Sequence, residues 1–150
     1  MTVLFRIDPE INIIYYAGFG LCTGQELLQV EREAFQHELR RPGMKILLDM
    51  EKARLDVEVS DIYQIIDTNK KLASTGYELE QTAIVSHNLF VTTIGEIGLL
   101  LAGDLPIKLN VFTILPDALA WLELTESQAQ VLEIRSGLEK EYREQFPGRV

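Results

Sequence analysis

Three short apolar runs, at residues 44–50, 82–86 and 109–115, alternate with stretches whose apolar residues recur at helical spacing. The runs have the length of buried strands, and the stretches between them have the period of amphipathic helices. Such an alternation folds into a sheet covered by helices. Ahead of it stands a hairpin. Val3, Phe5 and Ile7 alternate with Leu4, Arg6 and Asp8, Asp8-Pro9-Glu10 carries turn chemistry, and residues 11–16 are rich in β-branched and aromatic side chains. The expected class is α/β: a mixed sheet that begins with a β-hairpin, with helices packed on it.

Gly18 and Gly20 are expected to end the second strand. Thr23 and Glu26 have the spacing of a capping box. The helix they open carries Leu27, Leu28, Ala34, Phe35 and Leu39 at helical spacing, with Glu31 and Glu38 intruding on the stripe. Arg40, Arg41 and Pro42-Gly43 close it, the cations favouring its C-terminal dipole end. Residues 51–58 read as a polar connection. Ser60 is placed to cap a second helix with Ile62, Ile65, Ile66, Leu72 and Ala73, a stripe that Asn69 interrupts and Gly76 stops. A third helix, residues 90–102, presents Ile94, Ile97, Leu100 and Leu101. Gly95 and Gly98 weaken it by about 1 kcal/mol each relative to alanine. Pro116 suits the first turn of a short helix ending at Leu122. Residues 126–145 form a long amphipathic helix with Val131, Ile134, Leu138 and Tyr142 on one face.

The charge balance excludes some functions. The chain has 14 basic and 23 acidic residues, a net charge of -9, against the cationic excess of a phosphate-binding surface, so no nucleic-acid partner is expected. The stretch around residues 94–102 is too short for a membrane span, which needs about 20 apolar residues, and Met1–Asp8 does not resemble a signal peptide. With Cys22 as the one cysteine, a cytoplasmic protein is expected. Residues 81–124 hold one basic and four acidic groups and are expected to contain the most buried elements.

The hairpin, the Gly18-Phe19-Gly20 turn, the Thr23-capped helix, the strand Lys45-Ile46-Leu47-Leu48-Asp49, the Ser60-Asp61 helix start and the closing Ala118-Leu119-Ala120-Trp121-Leu122 together resemble one family. It is the SpoIIAA-like group of STAS-related proteins, which is itself similar to Sec14 lipid-transfer domains. The resemblance covers residues 1–124, a STAS-like domain, and leaves residues 125–150 as an appended helix and short tail. It implies a non-enzymatic regulatory or protein-interaction module with a STAS-type protein partner. In signalling members, a serine at the start of the helix after the second central strand is phosphorylated by a partner kinase. The nearest match here, Glu58-Val59-Ser60-Asp61, lacks the second serine and the glycine of the family pattern. Ser60 therefore reads either as a plain helix cap or as a regulatory serine.

The resemblance also implies binding of a small, lipid-like apolar ligand. Its physical form would be a gap between helices 60–75 and 90–102, lined by Ile62, Ile65, Ile66, Phe90 and Ile94, with Gly95 and Gly98 permitting close approach. The plainer reading is that those residues are core, as stripes at helical spacing usually are. The seam Val131, Ile134, Leu138 and Tyr142 packs either on its own domain or on another copy, which makes a homodimer the expected assembly.

No constellation points to catalysis, a cofactor or a metal. His87 ends a strand, but Ser86 beside it points to the opposite face. A triad would require Ser60 or Thr68 nearby. Asp49, Glu51, Asp56, Glu58 and Asp61 read as a solvated acidic loop, neutralised by Lys52 and Arg54. Cys22 precedes a helix N-terminus, which lowers a thiol pKa, although apolar burial is the commoner fate of a lone cysteine.

Overall fold

The computed structural model describes residues 2–105 and 108–148. Residues 1, 106, 107, 149 and 150, which belong to the expected 1–124 and 125–150 segments, lie outside the described residues. The elements run β1 (Val3–Asp8), β2 (Ile13–Thr23), α1 (Gly24–Phe35), β3 (Lys45–Asp56), α2 (Val59–Ser74), β4 (Gln81–Val85), α3 (Leu89–Ala102), β5 (Lys108–Phe112), α4 (Leu115–Trp121) and α5 (Gln128–Gln145), with a 3-10 turn at Thr125–Ser127.

The five strands lie in the order β1-β2-β3-β4-β5. The β1–β2 hairpin is antiparallel, and the pairs from β2 to β5 are parallel. Each parallel pair is joined by a helical crossover to the adjacent strand. Right-handed crossovers that advance in one direction place their helices on one face, so α1, α2 and α3 share a face. The other face is covered by α4 and α5. Alternation along β2 feeds both: Ile13, Tyr15 and Ala17 enter the core under α4 and α5, whereas Ile14 and Tyr16 enter the core under α1 and α3.

Two strands are longer than expected. Neither glycine ends β2, and residues 51–56 extend β3, with pairing that continues to Thr23↔Asp56. The registers Ala17↔Asp49 and Phe19↔Lys52 put one extra residue into β3, a β-bulge. Ala53 keeps this extension attached to the core while Lys52, Arg54 and Asp56 stay exposed. The polar sequence thus hides a strand with one buried edge.

Helix α1 ends at Phe35, short of the expected Arg41. Arg40 does not serve a helix dipole. It is buried, 8% exposed, and pairs with Glu80, 7% exposed. The Thr23 Oγ1 accepts from the Glu26 amide at 3.2 Å, but the Glu26 carboxylate turns away to Thr2 and Val3 at the start of β1, so the expected box is half made. The cap of α2 is Glu58, not Ser60. Asp61 Oδ2 accepts from the Glu58 amide at 2.9 Å.

The least charged segment is not the most buried. In α3 only Val91, Gly95 and Ala102 are buried, and Leu89, Phe90, Leu99 and Leu100 are exposed. The deepest core forms instead where Leu4, Ile13, Tyr15, Phe19 and Leu47 meet Leu119, Leu122, Leu124, Val131, Ile134, Leu138 and Tyr142. Residues on both sides of position 124 share that one core, and the α5 seam is filled by its own chain.

Candidate ligand cavity

Beneath α1, α2 and α3 the sheet does not close fully. A cavity of about 240 Å³ remains, bounded by Ile46 and Leu48 of β3, Ile84 of β4, Leu27 and Leu28 of α1, Ile62, Ile65 and Ile66 of α2, and Ile94, Gly98 and Leu99 of α3. Four of the five residues expected to line a pocket do so. Phe90 does not: it is 46% exposed and outside the lining. Val91, Ile94, Gly95, Gly98 and Leu99 are the residues of α3 that face the cavity. At roughly 100° per residue, Phe90 lies a quarter turn from the centre of that stripe.

Gly95 sets the height of the roof. A Cβ there would stand 2.7 Å from Val111 Cγ2, so α3 rests directly on β5. At Gly98, the nearest atom to a built Cβ is Ile62 Cγ2 at 4.0 Å, and the space belongs to the cavity.

The polar residues of the lining gather from several elements. Of the three residues that interrupt the helical stripes, Glu31 and Asn69 line the cavity, with Thr82, Glu80 and Tyr16, and Glu38 does not. The Tyr16 hydroxyl donates to Glu31 Oε2 at 3.2 Å. Arg40 Nε donates to Glu80 Oε1 at 3.1 Å, and the Tyr77 hydroxyl donates to the same oxygen at 2.6 Å. Arg40 also lies over the Phe35 ring, 5.5 Å from its centroid. Its Nη1 is buried with no hydrogen-bond partner among the described residues.

Burial raises the pKa of Glu31, and Glu80 adds to the effect, against the opposing Arg40 charge and the Tyr16 hydrogen bond. Glu31 remains half-buried by surface because part of its surface faces the cavity. Burial also holds the Tyr16 phenol well above its ordinary value and pushes Tyr77 up to about 12, so both phenols stay neutral. Sequence reasoning did not find the Arg40–Glu80 pair. Its one trace was Glu31, an acid on an apolar stripe.

The ionisable groups at the bulge of β3 form a second cluster. Tyr15 donates to Asp49 Oδ2 at 2.5 Å, and Arg135 of α5 reaches the same oxygen at 2.9 Å and also pairs with Glu51. Lys52 pairs with Glu139. Consecutive Glu51 and Lys52 both reach α5, which strict strand alternation forbids and the bulge permits. Of the five acids expected in a solvated loop, Asp49 and Glu51 fasten α5 to the sheet, Glu58 and Asp61 cap α2, and Asp56 is exposed. His87 Nε2 lies 3.5 Å from Glu51 Oε1, the buried Ser86 Oγ accepts from the Asn88 amide, and Thr68 donates to the Gln64 carbonyl. Cys22 is fully buried, and burial raises its thiol pKa. Ser60 is exposed in the first turn of α2, between Glu58 and Asp61. Among the described residues, no cluster of three or more His, Cys, Asp or Glu fits a metal ion, and no helix is long and apolar enough to cross a membrane.

The protein has a SpoIIAA-like fold. Among solved structures it is similar to an uncharacterised protein of the DUF3478 family with a SpoIIAA-like fold from Shewanella loihica PV-4, with a TM-score of 0.51 and 16% identity over 80% of this chain and 93% of that one. No protein-family model matches the sequence, and no curated protein matches it.

Proposed function

We propose that the protein is a non-catalytic binding module that holds a small apolar ligand beneath α1, α2 and α3. The cavity carries this reading: about 240 Å³ of space between well-packed layers, walled mainly by leucine, isoleucine and valine. Interiors are otherwise packed to crystal density. Each methylene moved into such a space contributes about 0.8 kcal/mol, so a medium-length chain supplies the roughly 8 kcal/mol of a micromolar complex before association costs. The ion pairs of Asp49, Glu51 and Arg135 support binding over catalysis, because they are engaged in holding α5.

The test is uptake of N-phenyl-1-naphthylamine, whose fluorescence rises in apolar surroundings. Wild-type protein is expected to enhance it saturably, and Ile66→Trp, which fills the cavity, to abolish the enhancement. Equal enhancement by both proteins contradicts the reading.

A protein-interaction role is favoured by a separate observation. Val59 and Tyr63 at the start of α2, and Leu89 and Phe90 at the start of α3, are exposed apolar side chains near Ser60 and His87 in sequence. Clustered exposed apolar residues mark contact surfaces. Pull-down with Tyr63→Glu/Phe90→Glu as control tests it: a partner retained by the variant contradicts this surface.

A further inference from the structure

Given that cavity reading, we infer that the ligand is an uncharged amphiphile, an apolar chain ending in a hydroxyl or primary amide, with its head at Glu31, Asn69 and Thr82.

These three residues come from α1, α2 and β4, and all line the cavity. Each has unused hydrogen-bonding capacity. Glu31 Oε2 takes the Tyr16 hydroxyl, but Oε1 is bonded to no described residue. The Asn69 amide and the Thr82 hydroxyl are likewise bonded to no described side chain. Open polar groups beside apolar walls fix the orientation of a ligand. All three side chains are only half-buried and open to the cavity, so a ligand head can reach them.

The charges at this end disfavour either sign. Arg40 and Glu80 neutralise one another. An anionic head would meet the carboxyl groups of Glu31 and Glu80, and an ammonium would meet the field of the Arg40 guanidinium, which acts on Glu31. Burial raises the Glu31 pKa above that of an exposed carboxyl, and its Oε1 remains open to a hydrogen bond from the ligand head.

Displacement of N-phenyl-1-naphthylamine by decanol, decanoate and decylamine at neutral pH tests this. Decanol is expected to displace the probe at concentrations about tenfold lower than either ion, a preference of one decade in affinity. Glu31→Leu should lose about tenfold in decanol affinity, and Glu31→Gln should retain it, each corrected for that variant's own probe affinity. An ion that binds as tightly as decanol, or a Glu31→Leu variant that binds decanol like wild type, overturns the inference while the cavity reading stands. Failure of the wild-type protein to take up the probe overturns both.

Discussion

The Tyr16 hydroxyl meets Glu31 Oε2 at 3.2 Å, joining β2 to α1 at the edge of an apolar cavity. A carboxyl in that position penalises its own ionisation. The Glu31 pKa in the folded protein lies above its ordinary value of 4.5 because burial dominates. Below that value both folded and unfolded chains hold the proton. As pH rises through it, the unfolded chain ionises first, and stability falls until the folded-state pKa is passed. Glu31→Gln removes this loss. The stability difference between variant and wild type should therefore grow in favour of the variant above about pH 4.5 and then level off. Urea unfolding across pH measures it, and a difference independent of pH would contradict the assignment.

Arg40 and Glu80 are both nearly excluded from solvent. Glu80→Gln leaves the guanidinium without its partner and should cost about 3–5 kcal/mol in urea unfolding. Arg40→Met/Glu80→Leu removes both charges and should recover most of that loss. A double variant as unstable as the single one would show that the pair itself carries the stability.

Gly95 and Gly98 predict opposite outcomes from the same substitution. Alanine at Gly95 meets Val111 Cγ2 at 2.7 Å and should destabilise by about 1–3 kcal/mol. Alanine at Gly98 meets only Ile62 Cγ2, at an ordinary contact distance of 4.0 Å, and should stabilise by up to about 1 kcal/mol through helix propensity. Thermal unfolding of the two variants gives the signs.

Helix α5 is part of the core. Val131, Ile134, Leu138 and Tyr142 are at most 5% exposed. Fully burying each contributes about 1.5–3 kcal/mol, and together they rival a domain's net stability of roughly 5–15 kcal/mol. A chain ending at Leu124 should lose its cooperative unfolding transition. A truncated chain that melts sharply near the wild-type temperature would assign α5 a dispensable role.

Much of this architecture was legible in the sequence because it depends on local periodicity. The Val3–Asp8 strand, the Thr23 cap, the Ile62, Ile65 and Ile66 stripe and the α5 seam all follow from spacing within one element. Features that depend on a distant element were not legible. Residues 51–56 are polar because only one edge of them is buried, and the pairing with β2 makes them a strand. Leu39 continues the α1 stripe on paper, yet the helix stops at Phe35 and Arg40 turns inward to a glutamate forty positions away. Glu31 and Asn69 stood out as anomalies, but that they line one cavity with Thr82 depends on the crossovers that place α1 and α2 on one face.

Isoleucine-methyl NMR with N-phenyl-1-naphthylamine reads directly whether the space under α1, α2 and α3 receives an apolar ligand. The δ1 methyls of Ile62, Ile65, Ile66, Ile84 and Ile94 should shift on titration, while those of Ile13 and Ile134, in the core on the opposite face, stay in place. Unperturbed methyls on the cavity side, or equal shifts on both faces, would contradict the account.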